Sequence, residues 1–192
     1  MNDIKIIDEI KKFIKIPKNF NIVYKKEEIR NNEKVKIYRF QESGKFEINT
    51  PRIIVITDIY GNIESIKNLS CLYKGELLNS QEAKKKAIDI FNELDECYAK
   101  GLSFIRIENQ NRSFIKEGNT INFPVQWIKF GHENGSYNWV TLSFDGEIIE
   151  IERNSIWDYL KGRRATEMWD NDDWVLARLG KGPQLSSPNA LA

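Results

Sequence analysis

Residues 139–151 read WVTLSFDGEIIEI, two apolar runs separated by Asp145 and Gly146. An Asp-Gly pair between such runs is a strong signal for a β-hairpin, because glycine tolerates the positive φ angle that a tight turn of the primed type requires. The stretch therefore predicts two antiparallel strands joined by a turn at these two residues.

The same pattern occurs earlier in the chain, which predicts an internal repeat. The runs 53–59 and 63–66 flank a turn at 60–62. The strand before each hairpin repeats as well, since residues 35–40 read VKIYRF and residues 125–130 read VQWIKF. Further turns follow these two strands, at residues 42–44 and 133–135.

A helix is predicted before each set of strands. The first carries apolar residues at helical spacing after a cap at Asn2 or Asp3, and Pro17 ends it. The second has Ser80 as the predicted N-cap, with Glu82 in its first turn. Its predicted buried stripe consists of Ala83, Ala87, Ile88, Phe91 and Leu94.

One more strand per copy is expected, at 20–24 and at 102–107, so each half reads as a helix followed by four strands. The predicted fold class is α+β, with two tandem units in which a helix covers an antiparallel sheet, followed by a helical C-terminal extension. The predicted boundaries are 1–76, 77–153 and 154–192.

The extension is expected to begin with a helix capped by Ser155. Residues at helical spacing follow: Ile156, Trp157, Leu160, Arg164, Met168 and Trp169. A second short helix is predicted from Asp172 to Leu179, closed by Gly180. The pair Ser187-Pro188 has the composition of a further helix start.

These motifs together resemble the PepSY family, the domains of peptidase propeptides and of bacterial sporulation and envelope proteins. The resemblance rests on a helix that opens with Ser-x-Glu-Ala at 80–83, a Trp/Tyr-x-Phe strand, and the Asp-Gly-x-Ile-x-x-Ile hairpin at 145–151. It implies a cystatin-like fold that binds or inhibits another protein, often a peptidase, with no cofactor and no catalytic residue. Family members are usually exported, and residues 154–192 lie outside the pattern. A cytoplasmic immunity-type protein that neutralises a toxin or enzyme is therefore the preferred interpretation.

Composition narrows the classes of partner. The chain has 29 Lys and Arg against 28 Asp and Glu, so no global field favours nucleic acid or an anionic membrane. Charged residues interrupt every apolar run near the start, so no signal peptide is expected and the predicted compartment is the cytoplasm. Cys71 and Cys97 lack a metal-binding spacing and are expected to be reduced, with a pairing left open.

Candidate catalytic groups are few, and the prediction is that this chain is not an enzyme. His132 is the single histidine and is expected in a solvated loop. Glu147, Glu150 and Glu152 include two carboxylates on one strand face, interpreted as a solvated face. The alternative is an enzyme or small-molecule-binding protein of the NTF2 type, in which Asp, Tyr or His side chains converge in a deep pocket.

A partner-binding surface is predicted in the extension, where tryptophans flank an acidic cluster that resembles a calcium loop only in part. The Asp residues are better explained as carboxylates at a helix N-terminus, and no metal is expected. Tryptophan and arginine are common anchors of protein interfaces. The predicted surface consists of Arg163, Arg164, Trp169, Asp170, Asp172, Asp173 and Trp174.

Overall fold

The computed structural model describes residues 3–42, 44, 46–72 and 74–192. Two sequence expectations lie outside these residues, namely the cap at Asn2 and the position of Ser43 in the turn at 42–44. The side chain of the alternative cap, Asp3, is also outside the description.

The described chain is an α+β protein with one large antiparallel sheet, as predicted at that level. Its main elements are α1 (Asp3–Lys11), β1 (Phe20–Arg30), β2 (Glu33–Glu42), β3 (Arg52–Asp58), β4 (Ile63–Leu69), α2 (Ser80–Leu94), α3 (Glu96–Ala99), β5 (Leu102–Lys116), β6 (Asn119–His132), β7 (Tyr137–Leu142), β8 (Ile148–Ser155), β9 (Trp157–Asp158), β10 (Arg163–Arg164) and α4 (Asp172–Arg178). Strands β1 to β8 form the sheet, and β9 and β10 form a separate small hairpin.

The eight strands follow the order β1-β2-β3-β4-β8-β7-β6-β5. Each four-stranded meander is preceded by a helix, so the helix-and-four-strand order occurs twice along the chain. Strands β4 and β8 join the two meanders, with Ile66 opposite Ile151 and Lys67 opposite Glu150. The two halves therefore share one continuous sheet.

The hairpin that opened the sequence argument forms at the predicted residues. Asp145 and Gly146 have φ angles of 53° and 73°, the positive values that a primed turn requires. The Ser143 amide donates to the Glu147 carbonyl at 2.8 Å and closes the turn. The strands it joins, β7 and β8, lie in the middle of the sheet.

One face of the sheet is covered by the helices and is apolar. A single core cluster takes side chains from both halves. Its large, almost fully buried members include Ile6, Ile10, Phe40, Ile53, Ile66, Phe91 and Phe130. Because each such side chain contributes roughly 1.5–3 kcal/mol on burial, this layer ties α1 and α2 to the sheet.

Helix α2 differs from its prediction in two details. Its N-cap is Asn79 rather than Ser80, and Asn79 forms a capping box with Glu82. Ile88 is 39% exposed, and Ile90 is buried in its place. Ile90 follows Ala83 by seven residues and Ala87 by three, so helical geometry puts it on their face.

The sheet curls strongly at its β5 edge. Arg112 on β5 bonds to Glu150 on β8 at 2.9 and 2.8 Å, although two strands separate β5 from β8. In a flat sheet three strand spacings amount to about 14 Å. The curl also brings the Ile115 amide within 2.7 Å of the Asn49 carbonyl, in the loop between β2 and β3.

The prediction of a first helix in the extension is wrong. Strand β8 continues to Ser155, and residues 157–164 form the β9–β10 hairpin. The backbone amides here do not make the bonds of a helix. The Ile156 amide donates to the Thr166 hydroxyl, ten positions on, at 2.7 Å, and the Arg164 amide donates to the Pro188 carbonyl at 3.1 Å. Leu160, which belonged to the predicted stripe, is fully exposed.

The second predicted helix is confirmed as α4, which Asn171 caps and which ends before Gly180 at a φ angle of 69°. No helix begins at Ser187, where the chain makes turns. Ala190 is instead fully buried in a cluster with Met168 and Trp174. The last residues therefore pack against the chain itself.

Candidate binding groove

A groove with a volume of about 610 Å³ lies on the sheet face opposite the helices. The curled β5–β6 hairpin forms one side, and residues 157–189 of the extension contribute to the other. Its floor is built from β4 and β8. Charged side chains and tryptophans dominate the lining, in contrast to the apolar face under the helices.

Glu150 is the centre of the floor. Besides Arg112, it accepts a hydrogen bond from the Thr141 hydroxyl at 2.7 Å, and the Lys67 ammonium lies 3.6 Å away. Burial alone raises the pKa of a carboxyl group. Here the charges of Arg112 and Lys67, with the hydrogen bonds, outweigh burial and hold the pKa of Glu150 well below its ordinary value.

Glu152 lies two residues along the same strand face and is 2% exposed. Its carboxylate pairs with Arg164 and, at 2.7 Å, with Arg30. Burial raises the pKa of Glu152, because the cost of desolvation exceeds the attraction of the two guanidinium groups. The prediction that Glu150 and Glu152 form a solvated strand face is therefore wrong, since both are buried, Glu150 against Arg112 of the curled β5 and Glu152 against Arg164 of the extension.

Two carboxylates of the extension complete the buried charges. Asp170 pairs with Lys67 at 3.1 Å. Asp172 accepts bonds from Arg39 at 2.5 and 3.0 Å and lies 3.0 Å from Arg52. Burial opposes ionisation of both, yet the neighbouring cations keep the pKa values of Asp170 and Asp172 below the ordinary range.

These ion pairs explain the acidic cluster at 170–173. Its two buried carboxylates neutralise cations of the sheet, and Asp173 receives the Asn49 side-chain amide at 2.8 Å. Among the described residues no group of three or more His, Cys, Asp or Glu is arranged to hold a metal ion. The cluster therefore fastens the extension to the sheet.

The accessible side of the groove is aromatic and cationic. We call the half-buried residues Trp127, Lys129, Tyr137 and Trp139 the aromatic wall. The two indole rings lie 5.8 Å apart. The Lys129 ammonium is 3.8 Å from the centre of the Tyr137 ring and 5.3 Å from that of Trp127. The wall alternates with the apolar side of β6 and β7, where Ile128 and Val140 enter the core.

The wall continues into the β9–β10 hairpin. The Tyr137 and Tyr159 hydroxyl groups lie 2.7 Å apart, and Leu160 follows Tyr159 at the tip. Asp158 accepts hydrogen bonds from the amides of Leu160 and Lys161, both at 3.1 Å, which fixes the turn. The tip thus presents a fully exposed leucine on an ordered backbone.

The seven residues predicted as a partner surface do not lie together on the outside. Arg164, Asp170, Asp172 and Trp174 are buried. Trp169 is half-buried and donates its indole N–H to the Ile29 carbonyl at 2.8 Å. Arg163 is half-buried as well, and Asp173 is exposed. The expectation of one exposed surface is corrected, because ion pairs and packing occupy most of the set.

His132 is not the solvated loop residue that the sequence suggested. It ends β6, and its ring stacks on Tyr98 at 4.1 Å. One ring nitrogen lies 3.1 Å from the Tyr98 carbonyl, and the other accepts the Asn134 amide. Both nitrogens are thus engaged in local structure. Cys71 and Cys97 are free thiols on the surface.

Sequence reasoning missed the cations of the floor and the aromatic wall. A signal was present in β5, where Arg106, Glu108, Gln110 and Arg112 alternate and predict one polar strand face. The alternation does not indicate that the curl of the sheet and the extension turn this polar face into a groove.

A scan against models of protein families found no match, and searches of curated proteins and of solved structures found no significant match. Of the helices that the structure describes, none has the length and apolar character needed to cross a bilayer. The interpretation of the groove therefore rests on its own geometry.

Proposed function

We propose that this chain is a non-enzymatic binding protein that neutralises another protein, a toxin or a peptidase, in the manner of an immunity protein. One observation carries the proposal: the accessible side of the groove is made of Trp, Tyr and Lys, whereas the buried carboxylates of its floor are held in ion pairs. Large aromatic side chains on a rigid support are typical anchors of protein interfaces.

The floor supports a role in binding. The Glu150 carboxylate is bonded on both oxygens, to Arg112 and Thr141, and its lowered pKa makes it a poor proton acceptor. Buried ion pairs of this kind hold the strand beneath the wall in one geometry. A preorganised surface loses less entropy when a partner docks.

The resemblance to PepSY domains is part of the same proposal. The resemblance implies two units in which a helix covers an antiparallel meander and which bind or inhibit proteins. The order of a helix before four strands, which occurs twice along the chain, supports this part of the proposal. A cytoplasmic site of action belongs to the proposal as well.

The test is capture of the partner at endogenous expression level in the native host. We expect the tagged chain to retain one stoichiometric protein, and the double variant Trp127→Ala with Tyr137→Ala to lose it. Tyr24→Ala is the matched control, because Tyr24 is an exposed aromatic residue of β1, at the opposite edge of the sheet. Equal capture by wild type and the double variant would refute the proposed interface.

A second candidate function is binding of a small molecule in the groove. The observation that favours it is Asp170, which lines the groove at 5% exposure and whose Oδ1 has no hydrogen-bond partner within the described chain. A ligand donor at this oxygen would satisfy it. A thermal-shift screen with small polar metabolites tests the idea, with Asp170→Asn expected to abolish any stabilisation that the wild type shows.

A further inference from the structure

One of the basic side chains that line the groove, Lys129, lacks an ion pair with a described carboxylate. Six basic side chains line it: Arg52, Lys67, Arg106, Arg112, Lys129 and Arg164. Five of them form ion pairs with carboxylates of the chain. Lys129 forms none with any described residue, and its ammonium lies over the rings of Trp127 and Tyr137.

The position of Lys129 is unfavourable for an isolated charge. Partial burial lowers the pKa of Lys129, repulsion by Arg106 adds to the effect, and attraction by Glu108, which is paired with Arg106, offsets only part of it. Contacts with the two rings recover part of the lost hydration. A carboxylate placed beside the ammonium would supply the missing counter-charge.

The residues around Lys129 restrict the kind of ligand that can carry this carboxylate. Trp127 lies on one side, and Tyr137 leads on the other to Tyr159 and the exposed Leu160. This run of contacts extends from the groove to the hairpin tip. A partner segment that follows it meets one cation flanked by apolar surface.

We infer that Lys129 binds a carboxylate on an acidic polypeptide segment of the partner, whose neighbouring apolar side chains pack on Trp127 and the Tyr159–Leu160 tip. This inference rests on the proposed function and names the chemistry of the partner. Removing the charge of Lys129 weakens binding, and reversing it favours a basic segment instead.

The experiment uses the full chain and two synthetic peptides, one of glutamates around a central pair of leucines and one with lysines in place of the glutamates. Binding is followed by the indole N–H signals of Trp127 and Trp139 in NMR spectra. We expect the acidic peptide to shift both signals, with an affinity that falls as salt rises. Lys129→Gln lowers that affinity about fivefold or more, and Lys129→Glu prefers the basic peptide.

The matched control is Lys85→Gln, which removes an exposed lysine of α2 on the other side of the sheet and leaves peptide affinity unchanged. Free glutamate and citrate are titrated as competitors. Binding of these small carboxylates as tight as that of the peptide would overturn the polypeptide assignment.

Equal binding of both peptides, unchanged affinity in Lys129→Glu, or no binding of either peptide would overturn the inference. The proposed function has its own test, the capture experiment. It fails if the double variant Trp127→Ala with Tyr137→Ala captures the partner as well as the wild type does. A partner that is lost in that double variant but retained by Lys129→Glu leaves the binding function standing and removes the carboxylate contact.

Discussion

The two faces of the eight-stranded sheet are covered in different ways. Helices α1 and α2 cover one face through apolar contacts that involve side chains such as Phe91 and Phe130. The extension lies against the other face through buried ion pairs of Arg164, Asp170 and Asp172 with the sheet. The curled strand β5 adds the pair between Arg112 and Glu150. Apolar contacts are non-directional, whereas buried charges stabilise only when every partner is in place. The first face therefore provides general stability, and the second fixes the shape of the groove.

The largest effect is expected on the helix-covered face. Phe91 is 1% exposed and meets Phe130 edge-on at 5.5 Å. Phe91→Ala should lower the free energy of unfolding by about 4 kcal/mol, because it removes buried area and leaves a cavity. Urea denaturation at neutral pH measures the loss, with Phe91→Leu as a milder control. A loss below about 1 kcal/mol would contradict the contribution assigned to this buried ring.

A smaller but more specific effect is expected on the charged face. Glu150→Ala should cost about 3 kcal/mol, because it leaves the half-buried Arg112 and Lys67 without the carboxylate that they share. The double variant Glu150→Leu with Arg112→Leu should cost less than the sum of its single variants. Additive losses in this double-mutant cycle would mean that the pair does not act as a unit.

Acidification should separate the two faces most directly. The pKa values of Glu150, Asp170 and Asp172 are lowered in the fold. A carboxylate with a lowered pKa contributes stability that is present above its unfolded pKa of about 4 and is lost as pH falls toward the folded value. Glu152 acts in the opposite direction, because its pKa is raised. We expect each of the three lowered carboxylates to contribute a loss of stability between pH 6 and pH 3.5, and Glu152 to offset part of that loss.

Unfolding free energies measured across this pH range provide the check. Glu150→Gln should flatten the profile, because it removes one of the three groups whose pKa is lowered. The unfolding free energy of Phe91→Ala should change with pH as that of the wild type does, at a lower value throughout. A profile that stays unchanged in Glu150→Gln would contradict the assigned role of the carboxylate.

Short-range patterns predicted the elements whose cause is local. The Asp145-Gly146 turn follows from the conformational freedom of glycine, and the stop of α4 at Gly180 has the same origin. The N-cap of α2 was placed one residue late, at Ser80 instead of Asn79. Both residue types cap helices well, so the sequence did not distinguish them.

The predictions that failed depended on contacts between distant residues. Residues 155–169 have helical spacing, yet they form the end of β8 and a hairpin. Bonds to distant residues replace the bonds of a helix, since the Thr166 hydroxyl donates to Asn31 and the Arg164 amide to the Pro188 carbonyl. The same holds for Glu150 and Glu152, whose alternation suggested a face open to water.

By itself, the sequence determined a mixed fold in which a helix precedes each of two antiparallel meanders, because helical and strand periodicities and turn residues act over a few positions. Only the tertiary structure decided that the meanders join at β4 and β8, that β5 curls until Arg112 reaches Glu150, and that Lys129 is left without a counter-charge in a groove. These features arise from pairing and burial across more than thirty positions, which no local pattern records.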